Sequence, residues 1–122
     1  MANRSKTTAS VTIANGAALS GAVNLSDKVL TAIIVPATWT AASLTFQASE
    51  DGVTWYDMFD SAGNEETILS ANVVAGRRMY VDPSDFASVD YIKVRSGSTG
   101  TPVNQGAARV VTLVSRKFYA LD

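Results

Sequence analysis

Alternation of apolar and polar residues, interrupted by turn-forming residues, is the feature that most restricts the fold of this chain. Alternating runs recur from Val11 to Tyr119, whereas the spacing typical of an amphipathic helix is nowhere sustained for three turns. The 122 residues suffice for one hydrophobic core and leave little room for a second. We therefore predict an all-β, single-domain β-sandwich or jelly roll of about seven to nine antiparallel strands.

Two kinds of strand are expected. In residues 10–14, Val11 and Ile13 fall on one face, and the Asn15-Gly16 pair that follows is typical of a turn. Residues 29–35 are instead apolar except for Thr31, which indicates a strand in the middle of a sheet, closed by Pro36.

Residues 43–59 predict a hairpin. An alternating run containing Phe46 is followed by Asp51-Gly52, a pair that favours a tight turn, and then by a second run containing Trp55. We expect Gly52 to adopt a positive φ, and we place Phe46 and Trp55 in the core because each is a large apolar side chain on a strand beside the turn.

The two ends contain few large apolar side chains, so we divide the chain into an N-terminal arm (1–9), a sandwich domain (10–119) and a C-terminal tail (120–122). The arm offers candidate docking residues for a neighbouring protein, as does the segment 118–121. The four candidates in the arm are Arg4, Lys6, Thr7 and Thr8. The alternative is that residues 1–9 continue the first strand of the domain.

Histidine and cysteine are absent, which excludes Ser-His-Asp and Cys-His catalysis, disulfides and the common zinc sites. We predict no enzymatic activity and no cofactor. Four acidic residues near one loop could form a carboxylate pair or a calcium site, although a solvated loop is the favoured interpretation; they are Asp57, Asp60, Glu65 and Glu66. The run Gly97–Gly100 lacks the lysine and the helix that a phosphate-binding loop requires.

Charge is balanced overall but unevenly placed. A net charge of -1 provides no basic field for nucleic acid, and no apolar run is long enough to span a membrane. The segment from Glu50 to Asp90 has nine acidic residues against two arginines, whereas both ends are basic. Opposite charges could pair within one fold, or between copies of the chain.

The segment Gln47–Trp55 resembles the strand-turn-strand of discoidin-like jelly rolls, in which a Ser-x-Asp-Gly-x-x-Trp pattern joins two core strands. This resemblance covers nine residues and implies an architecture. It leaves a carbohydrate-binding jelly-roll module as an alternative function, with core or inter-subunit packing as the favoured interpretation of the aromatic residues.

A broader likeness extends over most of the chain, through Ile13–Gly21, Ser49–Asp57, residues 94–98 and Pro102–Gly106. In these segments the chain looks like small virion proteins of tailed bacteriophages. The resemblance implies a capsid decoration (cement) protein that is made in the bacterial cytoplasm, resides in the virion, and binds the major capsid protein and copies of itself. A tail, neck or fibre-base component is the alternative. No small-molecule ligand is expected.

Overall fold

The computed structural model describes residues 5–117, which form two four-stranded antiparallel sheets packed face to face. Eight strands and one short 3-10 helix occur in this part of the chain. In order they are β1 (Lys6–Ile13), β2 (Val23–Asn24), β3 (Lys28–Ile34), β4 (Leu44–Ser49), β5 (Tyr56–Asp57), β6 (Arg78–Tyr80), the helix Pro83–Phe86, β7 (Tyr91–Ser96) and β8 (Arg109–Lys117). The predicted all-β sandwich is confirmed.

Sheet A has the strand order β1-β8-β3-β6, and sheet B has the order β2-β7-β4-β5. The inward side chains of both sheets meet in one continuous apolar core. Its centre is Phe46, which is fully buried and meets the ring of Phe86 edge to face, with ring centroids 5.1 Å apart. The described residues contain no helix of a length and apolarity that would span a bilayer.

Strand β3 is interior to sheet A, as predicted for the apolar run that contains it. Its register with β8 shifts between Leu30 and Ala32, so that Thr31 is an extra residue in the strand. The Thr31 hydroxyl donates to the Val114 carbonyl at 3.2 Å. The extra residue reverses the alternation of side chains, so Leu30 and Ile33, which are three residues apart, both point into the core. This explains why the apolar residues of β3 do not alternate with polar ones.

The structure corrects the predicted N-terminal arm. Strand β1 begins at Lys6 and pairs with β8 over its whole length, from Lys6 opposite Arg116 to Ile13 opposite Arg109. Three of the predicted arm residues therefore belong to a strand: Lys6, Thr7 and Thr8. The strand that contains Val11 and Ile13 begins earlier than predicted, because its first residues pair with β8 although they are mostly polar. Arg4, the segment 118–121 and the tail 120–122 lie outside the described residues.

The hairpin turn is confirmed, with Gly52 at a φ of 79°. Ser49 is buried, and its hydroxyl accepts hydrogen bonds from the backbone N–H groups of Asp51 and Gly52. The Asp51 carboxylate accepts from the N–H groups of Val53 and Thr54, which lowers its pKa. The Ser-x-Asp-Gly residues thus hold the turn.

The predicted core position of Trp55 is wrong. Trp55 is half-buried on the outer face of sheet B, where the Lys93 ammonium lies 4.3 Å from the centre of its ring. The second hairpin strand is also shorter than predicted, because only Tyr56 and Asp57 join the ladder with β4. Residues 53–55 lie between the turn and the start of β5. The alternation of apolar and polar residues after Gly52 therefore does not predict which of these side chains point into the core.

Phe46→Ala should cost about 3–5 kcal/mol of unfolding free energy, since it opens a cavity at the centre of the core. Trp55→Ala should cost less, about 1–2 kcal/mol, because the side chain lies outside the core, half-buried beside Lys93. Urea denaturation midpoints of the two variants provide the comparison. Equal losses would contradict this placement of the two side chains.

Candidate functional site

Arg95 is a charged residue buried on the outer face of sheet B. It lies on β7, between Thr45 of β4 and a single bridge to Leu19. Side chains on β7 point alternately to the two faces of the sheet, and Ile92 and Val94 point into the core. The arginine therefore points away from the core, yet it is only 6% exposed because loops cover it. A buried guanidinium needs partners that replace its water.

Two carboxylates supply those partners. Arg95 Nη2 donates to Asp57 Oδ1, and Nη1 donates to Glu65 Oε2 at 3.0 Å. Nη1 also lies 3.4 Å from the Thr45 hydroxyl. Asp57 is on β5, whereas Glu65 follows the loop that begins at Asp60. We call these three charged residues and Thr99 the Arg95 cluster.

Thr99 closes the cluster from a second loop. Its hydroxyl donates to Asp57 Oδ2 at 2.8 Å, and its backbone N–H donates to both Glu65 oxygens, at 3.1 and 3.2 Å. Thr99 lies at the tip of a tight turn in which the backbones of Ser98 and Thr101 exchange two hydrogen bonds.

Gly97 allows this turn to approach so closely. Its φ is 92°, and a Cβ there would lie only 2.5 Å from the Thr101 carbonyl oxygen and 2.6 Å from the Val103 nitrogen. The Gly97 carbonyl in turn accepts the Thr45 hydroxyl at 2.7 Å. The segment Gly97–Gly100, which lacks the features of a phosphate-binding loop, therefore binds two carboxylates of the same chain through Thr99, those of Asp57 and Glu65.

Asp57 is held in its ionised form. The hydrogen bond from Arg95 is the largest cause of its lowered pKa, and those from Thr99 and Gln47 add to it, against an opposing effect of burial. A carboxylate in this setting is a poor proton donor near neutral pH. The arrangement can stabilise a buried charge, but Asp57 is unsuited to general acid catalysis.

The four acidic residues predicted near one loop divide into two groups. Asp57 and Glu65 join Arg95, whereas Glu66 faces Asp85 and lies near Asp60 and Asp82. Burial, followed by the charges of Asp85 and Asp60, raises the pKa of Glu66. Within residues 5–117, no three His, Cys, Asp or Glu side chains are arranged to hold a metal ion.

Gln105 forms a second buried polar site, which the sequence did not indicate. It is 1% exposed, and its amide exchanges hydrogen bonds with the Thr40 backbone at 2.9 and 3.0 Å. Its Nε2 also donates to the Ser96 hydroxyl, and its Oε1 accepts from Arg109 Nε at 3.1 Å. Both this site and the Arg95 cluster anchor the long loop between β7 and β8.

The structure thus brings together residues that are far apart in the sequence. Arg95 and Thr99 were not candidates, because an arginine on an alternating strand and a threonine in a glycine-rich loop carry no local signal. The charge asymmetry was a partial signal, since Arg95 belongs to the basic part of the chain and its partners to the acidic part. Pairing within one fold therefore occurs here.

Comparison with protein-family models finds no match, and comparison with curated proteins finds no significant match.

Arg95→Met should lower the unfolding free energy by about 3–5 kcal/mol at neutral pH, because it leaves two carboxylates facing each other without their cation. Arg78→Met is the matched control: its side chain is exposed on β6, and we expect a change within about 0.5 kcal/mol. Urea denaturation measures both. Similar small losses would show that the Arg95 cluster contributes little to stability.

Glu66→Gln should raise the thermal midpoint at neutral pH. The raised pKa means that ionising the folded carboxyl is unfavourable, so the stability that protonated Glu66 contributes is lost as pH rises. The gain should vanish below the ordinary glutamate pKa of about 4.3, where folded and unfolded chains are both protonated. Glu50→Gln, which removes an exposed charge, is the control, and an equal gain in it would contradict the assignment.

Proposed function

We propose that this chain is a non-enzymatic structural protein of a tailed-bacteriophage virion: a capsid decoration protein that binds the major capsid protein and stabilises the head. The observation that supports this most is the closure of the Arg95 cluster. Its carboxylates are bound to Arg95 and Thr99, and within the described residues no buried side-chain nitrogen or oxygen lacks a hydrogen-bond partner. Such a cluster joins two loops to sheet B and keeps both of its carboxylates engaged.

The outer face of sheet A offers a surface for contact with a shell. Tyr80 on β6 is 85% exposed, and the Arg78 guanidinium lies 5.2 Å from the centre of its ring. Val110 on β8 is half-exposed on the same face. Tyrosine and arginine are enriched among the residues that contribute most to protein–protein binding. We assign the contact with the major capsid protein to this face.

The test is the number of copies per particle, measured by quantitative mass spectrometry of purified virions against the major capsid protein. A decoration protein should be present in hundreds of copies. A few copies, or about a dozen, would instead support the tail, neck or fibre-base alternative. Absence from purified particles would overturn both.

Variants of the contact face sharpen this test. Tyr80→Ala should reduce the occupancy of particles, while its thermal midpoint stays close to that of the wild type because the side chain is exposed. Tyr56→Ala is the matched control, since Tyr56 is 63% exposed on sheet B, away from this face. Equal occupancy in the two variants would overturn the assignment of the contact to sheet A.

A carbohydrate-binding module is the second candidate, and the half-buried Trp55 on the outer face of sheet B is the observation that favours it. The Lys93 ammonium over the indole ring competes for the surface that a sugar would stack on. Loss of binding to a glycan array in Trp55→Ala, with retention in Tyr80→Ala, would support this candidate over the capsid role.

A further inference from the structure

The four sheet edges of this sandwich differ greatly in length. Among residues 5–117, β2 and β5 at the edges of sheet B have two residues each, and β6 at one edge of sheet A has three. Strand β1, at the other edge of sheet A, has eight. Long open edges invite pairing with another strand, and β1 carries no proline and only the charge of Lys6 to discourage it.

One hydrogen bond shows which backbone groups of β1 face this edge. The Thr12 carbonyl accepts from the Gly21 N–H at 3.4 Å, and Gly21 belongs to the loop that leaves sheet A beside β1. Backbone groups point to alternate sides along an antiparallel strand, so Lys6, Thr8 and Ser10 point the same way as Thr12, away from β8. Within the described residues, no hydrogen bond outside the β1–β8 ladder engages these three.

The open positions are self-complementary. If two β1 strands run antiparallel with Thr8 on the two-fold axis, Lys6 of each copy faces Ser10 of the other, and the two Thr8 residues face each other. All three pairs bring outward-facing backbone groups together, so each pair can exchange two N–H···O bonds. The two Lys6 ammonium groups lie at opposite ends, and no like charges meet across the strands.

We propose that two copies of this chain join through their β1 strands about a two-fold axis at Thr8, which makes one eight-stranded sheet from their two A sheets. This interface rests on the proposed function, since joined copies would bridge neighbouring subunits of a shell. The occupant is a second copy because the edge matches itself in register, polarity and charge. The outer face of the joined sheet carries Tyr80 of both copies on one side, available to the capsid.

Single-cysteine variants of the full chain provide the test, since the native sequence has no cysteine. Thr8→Cys places two thiols at the axis, where paired Cα atoms are about 5.5 Å apart. Thr12→Cys is the matched control, also exposed on the same strand and face. Its two copies would lie about 27 Å apart, since they are eight strand residues from each other at about 3.4 Å per residue.

With a short bis-maleimide, Thr8→Cys should form cross-linked dimers at least tenfold faster than Thr12→Cys. In sedimentation, the wild type and Thr8→Ala should be dimers, whereas Thr8→Pro should be a monomer because it removes an N–H that faces the open edge. If Thr8→Pro fails to fold, the cysteine pair still decides. Equal cross-linking rates, or a wild-type monomer at the highest soluble concentration, would overturn the interface.

Failure of the interface and failure of the virion role are distinguishable. A wild type that dimerises through Thr8 but is missing from purified particles supports the interface and overturns the decoration function. A wild type that occupies particles in high copy number, with equal cross-linking at positions 8 and 12, overturns the interface and leaves the decoration function.

Discussion

The burial of one positive charge determines the arrangement of sheet B and its loops. Arg95 alternates with core residues on β7, so its guanidinium emerges on the outer face of the sheet, where it is nevertheless covered. A charge so placed is costly unless several acceptors surround it. Asp57 and Glu65 meet that need from a strand and a loop, and Thr99 reaches the same two carboxylates from another loop. Four separate parts of the chain are thereby held in one place.

The carboxylates of Asp57 and Glu65 are engaged by Arg95 and Thr99, and these partners lower the pKa of Asp57. The same interactions join two loops to the strands of sheet B. For the assembly role that we propose, loops held in this way would lose less conformational entropy on binding than free loops.

The two sheets differ in the length of their edge strands and in the residues on their outer faces. Sheet B has short edges, and its outer face is filled by the Arg95 cluster, Lys93 and Trp55. Sheet A has the long β1 edge and an outer face on which Tyr80 is exposed beside Arg78. The Arg95 cluster lies on the outer face of sheet B, and the surfaces proposed for contact with other proteins lie on sheet A.

The sequence by itself determined the elements whose cause is local. Alternation predicted the all-β sandwich, the apolar run predicted the interior strand β3, and Asp51-Gly52 predicted a turn with a positive φ at Gly52, because each pattern acts through neighbouring residues. The first strand was harder, since Lys6, Thr7 and Thr8 resemble a polar arm until β8 is placed beside them.

Only the tertiary structure decided what depends on distant partners. Trp55 lies outside the core because β5 begins only at the next residue, Tyr56. Thr31 is an extra residue in β3 because of the register in which β3 pairs with β8. Arg95 pairs with Asp57 and Glu65, which are 38 and 30 residues away from it in the sequence. No local pattern encodes such a pairing, because an ion pair depends on where two strands and their loops meet in space.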